Sequence, residues 1–144
     1  MNILNKTPNS VLWLLKSNSI ASENLWKEAE KRNIKKNRII FADHLPKEEH
    51  LKRIKLADVF LDTFPYNAHT TASESIRAGV PILTLKGKSF PSRVASSILT
   101  NIGLENLITS NIKDYENKAI FLANNIQEIK NLKKHLKNKI NTHK

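Results

Sequence analysis

Residues 59–85 read VFLDTFPYNAHTTASESIRAGVPILTL, and the order of elements inside this stretch decides the fold. Val59 to Thr63 is a short apolar run with strand character. Thr70 to Ala78 has helical period, Gly79 suits a helix C-terminus, and Pro81 to Leu85 is a second apolar run. A strand, a crossover helix and another strand make the repeating unit of a parallel sheet. Runs this continuous in apolar residues suit strands covered on both faces.

The alternation extends in both directions. Val11 to Leu15, Arg38 to Ala42 and Leu107 to Ser110 read as further strands. Ser22 to Asn33, Pro46 to Ala57 and Pro91 to Ile102 read as helices, with Ser22 as an N-cap and Leu25, Trp26 and Ala29 facing inward. Pro46 and Pro91 suit first helical turns, and Gly103 suits a second C-terminal cap. Asp114 to Asn125 is amphipathic through Tyr115, Ala119 and Leu122. Beyond it Ile126, Ile129, Leu132, Leu136 and Ile140 make one apolar stripe on a helix with a lysine-rich back. The predicted class is α/β, a doubly wound parallel sheet of about five strands, in which ligands bind beyond the carboxyl ends of the strands.

Composition narrows the function classes. At 144 residues and 40% hydrophobic content the chain suits one globular domain. Without Cys there is no disulfide framework, thiol nucleophile or cysteine zinc site. Apolar runs of about five residues are far below the roughly 20 that a membrane helix needs. Val11 to Leu15, closed by Lys16, is too short for a signal peptide, so no membrane association and a cytoplasmic location are predicted. The formal charge of +11 favours anionic partners. Much of it sits in the tail, where Lys130, Lys133, Lys134, Lys137, Lys139 and Lys144 face only Glu128. Aromatic content of 6% and the lack of basic-aromatic interleaving argue against a nucleic-acid partner.

Two connections concentrate unusual side chains. In the segment from Ala42 to Arg53, Lys47, His50 and Arg53 recur every three residues and would form one line near the start of a helix. That line suits the base or ribose of a nucleotide; it equally suits a solvated face with Glu48 and Glu49 as partners. In the segment from Asp62 to Glu74, Thr70 or Thr71 can cap a helix whose free N–H groups and dipole attract an anion. Glu74, one turn inside, could accept bonds from sugar hydroxyls, or could close an ordinary capping box. No G-x-G-x-x-G occurs, and Gly87-Lys88-Ser89 lacks a P-loop because Ile82 stands at the first glycine position. His44, His50, His69, His135 and His143 show no metal-ligand spacing, and no D-x-D pair occurs, so neither a metal nor another cofactor is expected.

The blocks Pro8 to Leu15, Asn37 to Phe41, Pro46 to His50, Ala57 to Thr63, Asn67 to Thr71 and Ser92 to Ser97 carry a family resemblance. From about Pro8 to Asn125 the chain resembles the carboxyl-terminal catalytic lobe of O-linked N-acetylglucosamine transferases, SPINDLY proteins and their bacterial relatives. The resemblance implies a Rossmann-like nucleotide-sugar-binding lobe of a GT-B glycosyltransferase over residues 8–125, followed by a basic amphipathic helix over 126–144. It implies an inverting enzyme with a UDP-sugar donor, UDP-N-acetylglucosamine in the transferase branch, and a protein hydroxyl as acceptor. By the same resemblance Leu45 would offer backbone groups to uracil, His50 would pack on it and Arg53 would approach its edge. Lys47 would reach the ribose region, and His69, Thr70 and Thr71 would hold the diphosphate. Glu74 departs from the Asp usual in the family at the ribose hydroxyls. The acceptor-binding lobe and the catalytic base are expected on an amino-terminal lobe supplied in cis or in trans, leaving this chain the donor half and its catalytic residues unassigned. A noncatalytic nucleotide-sugar-binding or scaffold module is the alternative.

Overall fold

Five of the apolar runs form strands, and every pairing between them is parallel. The computed structural model describes residues 1–142, so His143 and Lys144 lie outside the described residues. In chain order the elements are α1 (Asn2–Lys6), β1 (Leu12–Leu15), α2 (Ser19–Lys31), β2 (Ile39–Ala42), α3 (Lys47–Ile54), β3 (Phe60–Leu61), α4 (Thr70–Arg77), β4 (Ile82–Leu85), α5 (Val94–Asn101), β5 (Ile108–Thr109), α6 (Ile112–Asn124) and α7 (Ile126–Thr142). Where one doubly wound sheet is expected, the strands hydrogen-bond as two sheets, β1-β2 and β3-β4-β5. Leu12 pairs with Ile39, Phe60 with Ile82, and Thr84 with Ile108. The chain divides into two compact units, Met1–Lys47 and Glu48–Lys144.

In the first unit Leu4, Ala29, Ile34 and Ile39 form a core against which Leu12, Leu14, Trp26 and Phe41 pack. Strand alternation turns one face of the β1-β2 pair inward and leaves Leu15 and Ile40 on the other. These two are 51% and 47% exposed, so both faces are not covered here as the apolar runs suggest. The Arg38 guanidinium ties the amino-terminal segment down by donating to the carbonyls of Leu4 (2.9 Å), Thr7 (2.6 Å) and Ser10 (2.8 Å). It thereby satisfies a carbonyl in the last turn of α1, a helix too short to stand alone. At α2 the N-cap is Asn18, whose side chain accepts from the Ala21 N–H at 2.7 Å. Ser22, read from sequence as the cap, lies buried inside the helix and donates to the Asn18 carbonyl at 3.1 Å. The same side-chain cap chemistry was available one turn earlier.

In the second unit β4 is the middle strand and its Ile82, Leu83 and Thr84 are completely buried. Residues from four helices converge in one core: Ala72 and Ile76 of α4, Leu99 of α5, Leu122 of α6, and Ile129, Leu132 and Leu136 of α7. Helix α7 is thus part of the core. Its flanks are also engaged, with Lys133 Nζ donating to the Ala57 carbonyl at 2.8 Å and His135 Nε2 donating to the Ile102 carbonyl at 2.8 Å. Ile126, read as part of the apolar stripe, is 67% exposed because the stripe meets the core only from Ile129 onward.

Three helices end in the same way. After α2, α4 and α5 the chain turns through Asn33, Gly79 and Gly103, each at positive φ. In each the next N–H donates to the carbonyl five residues back, Ile34 to Ala29, Val80 to Ser75 and Leu104 to Leu99, at 2.9 Å. This is the Schellman arrangement, and the residue that follows each turn is buried.

The loop between β3 and α4 is built around the carboxyl group of Asp62, which is 2% exposed. It accepts from the Ala68 N–H at 2.8 Å and from the Thr84 hydroxyl at 2.7 Å. The Asp62 carbonyl accepts from the Tyr115 hydroxyl of α6 at 2.9 Å. Burial raises the Asp62 pKa above its ordinary range, against the lowering effect of these donors and of the His69 charge. Burial also pushes the Tyr115 phenol up, with the Asp62 charge adding to it.

Two outcomes test this account. A Cβ added at Gly103 would meet nothing within 4 Å, so Gly103→Ala isolates the backbone cost of left-handed geometry. It should lower stability by about 1 kcal/mol, read as a midpoint shift in urea unfolding; an unchanged midpoint would contradict the turn. For Asp62, the native state holds its proton more tightly than the unfolded chain, so its contribution to stability is present below the ordinary value of 3.8 and is lost as pH rises through the raised native value. Wild-type stability relative to Asp62→Asn should therefore fall as pH rises above about 4, by at most about 1.4 kcal/mol per pH unit. A relative stability that rises with pH over that range would show the carboxylate to be the favoured native form.

Candidate functional site

The two selected connections fold into different local structures. Leu45 is an exposed residue of the loop after β2, and Lys47, also exposed, opens α3. Both belong to the first unit, whereas His50, Arg53, His69, Thr70, Thr71 and Glu74 belong to the second. Helix α3 ends at Ile54, so Arg53 falls in its last turn rather than near its start. There Arg53 Nη2 lies 3.2 Å from His50 Nδ1. Arginine has no acceptor, so His50 Nδ1 must accept, which leaves Nε2 as the imidazole's donor edge. The pair is a local unit in which each side chain is half-buried.

His69, Thr70, Thr71 and Glu74 come together at the start of α4. The N-cap is His69, and it makes no side-chain cap hydrogen bond. Neither threonine caps, because both lie already inside the helix, and both residues are exposed. The helix thus opens with backbone N–H groups that no side chain has claimed, and with the positive end of its dipole. Glu74 lies one turn on, half-buried.

The loop that delivers the chain to this point is pinned along its length. Thr63 Oγ1 donates to the Tyr66 carbonyl at 2.7 Å, and Asn67 Nδ2 donates to the Thr63 carbonyl at 2.9 Å. The Asn67 N–H reaches the Pro91 carbonyl at 3.1 Å, and the next N–H, of Ala68, is held by Asp62. The Phe64-Pro65 bond within the loop is cis. Phe64 packs edge-on against Tyr115 with ring centroids 5.6 Å apart, and the Tyr66 ring stacks on the His69 imidazole.

Polar atoms without partners gather in the same segment. Asn67 Oδ1, His69 Nε2 and Ser75 Oγ are buried and make no hydrogen bond. Buried polar groups are nearly always paired, so each of these three calls for a partner, whether water or a ligand. Asp62, Tyr66 and Asn67 escaped the sequence reading as site-forming residues. The available signal was a carboxylate closing an apolar strand run, since a buried carboxylate needs donors and the following loop is where they come from. A separate hollow of about 350 Å³ beyond β4 and β5, lined by Lys86, Lys88, Thr109 and Asp114 among others, contains none of the residues selected from sequence. Among the described residues no three His, Cys, Asp or Glu side chains gather as metal ligands, and no helix is long and apolar enough to cross a membrane.

Comparison with known proteins agrees with the resemblance. A probable UDP-N-acetylglucosamine–peptide N-acetylglucosaminyltransferase, SEC, of Arabidopsis thaliana is 39% identical over 137 residues, 94% of this chain and 14% of the plant protein. A UDP-N-acetylglucosamine–peptide N-acetylglucosaminyltransferase of Caenorhabditis elegans is 35% identical over 133 residues, 92% of this chain and 12% of that one. The structure of a Thermobaculum terrenum O-GlcNAc transferase mutant, K341M, superposes with a TM-score of 0.91 at 29% identity over 97% of this chain and 28% of that one. The α/β architecture with parallel strands is therefore that of a GT-B transferase, and the chain spans only a small part of the length of these relatives. The likeness also reaches beyond the stretch from Pro8 to Asn125 that the motifs delimit, as expected where α1 and α7 pack into the cores without distinctive motifs of their own. The model of glycosyl transferase family 41 matches residues 1–144, and the chain belongs to that family.

Proposed function

We propose that this chain supplies the donor-binding part of a UDP-sugar glycosyltransferase that acts on protein hydroxyls, with UDP-N-acetylglucosamine as donor. The observation that carries the reading is the start of α4: a helix N-terminus without a side-chain cap, preceded by a histidine whose buried Nε2 has no partner and opened by two exposed hydroxyls. This is an anion site made without a glycine loop. In the proposed reaction the acceptor hydroxyl oxygen forms a bond to the anomeric carbon as the bond from that carbon to the diphosphate oxygen breaks, inverting the centre. The electron pair leaves with UDP, and the hydroxyl proton goes to a base outside the donor half. Negative charge grows on the departing diphosphate, so fixed N–H groups and the hydroxyls of Thr70 and Thr71 lower the barrier because they are oriented before the bond breaks. In this reading His50 and Arg53 serve the uracil, and Glu74 serves the ribose hydroxyls with one methylene more than the usual Asp. No metal is required, because the diphosphate charge is met by the helix end and by His69.

Two measurements test the reading. UDP at 100 times its dissociation constant should add about 2.7 kcal/mol of stability, a shift on the order of 5 to 10 °C in thermal unfolding, while ADP leaves the midpoint unchanged. Equal shifts from the two nucleotides would sink the uridine assignment. His69→Ala combined with Thr71→Val should weaken UDP binding by about tenfold or more for each hydrogen bond lost, at roughly 1.5 to 3 kcal/mol for each bond to a charged group, without abolishing it because the helix end remains. Unchanged affinity in calorimetry of the folded double variant would remove the diphosphate from this helix.

A further inference from the structure

The Tyr66 side chain has no place in the core and none in the site as proposed. It is 63% exposed, yet its ring lies nearly parallel to the His69 imidazole, at 11°, with centroids 5.2 Å apart. Its backbone is not free to wander: the Thr63 hydroxyl donates to its carbonyl, and the next residue, Asn67, is 1% exposed and bonded to the Pro91 carbonyl. His69, by contrast, has no protein hydrogen bond at Nε2. An imidazole that must keep its edge for a ligand cannot be oriented by a hydrogen bond at that same edge. A flat partner on one face orients the ring without using the hydrogen-bonding capacity of that edge.

We propose that Tyr66 is a positioning residue for His69, holding the plane of the imidazole so that Nε2 is presented to the anion at the start of α4. The inference rests on the donor-site reading above. Stacking of two flat rings restricts rotation about the imidazole's side-chain torsions, and the energy of an aromatic pair is enough to bias one orientation strongly. The phenolic hydroxyl plays no part, so phenylalanine should serve as well.

Calorimetric titration with UDP, of the whole chain and its variants, tests the proposal. Tyr66→Leu should bind UDP roughly three- to tenfold more weakly than wild type, and Tyr66→Phe within about twofold of it. Because Tyr66 acts through His69, Tyr66→Leu should cost nothing further in a His69→Ala background. Proton NMR supplies a readout that a merely structural role would not move: the ring-current displacement of the His69 carbon-bound protons should persist in Tyr66→Phe and collapse in Tyr66→Leu while the remaining spectrum is unchanged. Additive losses in the double variant would mean that Tyr66 meets the ligand itself and would overturn the positioning role, as would a Tyr66→Leu affinity equal to wild type while His69→Ala is weakened. Failure of the wild-type chain to bind UDP would instead bring down the donor-site reading, and this inference with it.

Discussion

A buried carboxyl group organises the second unit. Asp62 directly follows β3 in an environment that penalises its charge, and burial without donors would cost several kcal/mol. Its partners come from three directions: the Thr84 hydroxyl from β4, the Ala68 N–H from the loop, and the Tyr115 hydroxyl from α6 onto the Asp62 carbonyl. Thr84 in turn has its carbonyl bound by the Thr109 hydroxyl of β5 at 2.8 Å. Sheet, loop and helix are thus linked through one residue. The consequence for the site is positional, because Ala68 immediately precedes His69 and its N–H is the last fixed point before α4 begins.

Helices α4 and α5 meet this framework with the same asymmetry. Their C-termini are closed by left-handed turns that satisfy the last carbonyls and drive the next residue into the core, as Val80 and Leu104 show. Helix α4 is closed in this manner at Gly79 and left without a side-chain cap at His69. A helix finished at both ends is a structural part. One finished only at its C-terminus keeps N–H groups and a dipole available for a ligand, at the cost of first-turn bonds it could have made.

The elements were legible in the sequence because their signals are local. Five apolar runs, the helix periods and the glycine punctuation each depend on neighbours a few residues away. Legibility failed where two residues offered the same chemistry, as with Asn18 and Ser22, or where the decisive partner lay far along the chain. Helix α1 has no amphipathic signature and owes its carbonyl partner to Arg38, which is 34 residues from Leu4. The division of the strands into two ladders depends on hydrogen bonds that apolar patterning does not specify. At the site, the residue types from His69 to Thr71 were evident, and the identity of the N-cap was not. Threonine has the better capping propensity, but the path of the loop pinned at Asp62 and Asn67 starts the helix one residue earlier.

The charge of the chain has little to do with the anion it is proposed to bind. Positive charge is concentrated in α7, where Lys133 is committed to the Ala57 carbonyl and the helix is anchored by Ile129, Leu132 and Leu136. The start of α4 offers N–H dipoles, one imidazole and two hydroxyls, with the Glu74 carboxylate one turn on. Flexible surface lysines attract a phosphate without orienting it, and salt screens them. Backbone N–H groups cannot reorient without unwinding the helix, so they also discriminate geometry, favouring a diphosphate placed along the helix axis over a charge that merely approaches.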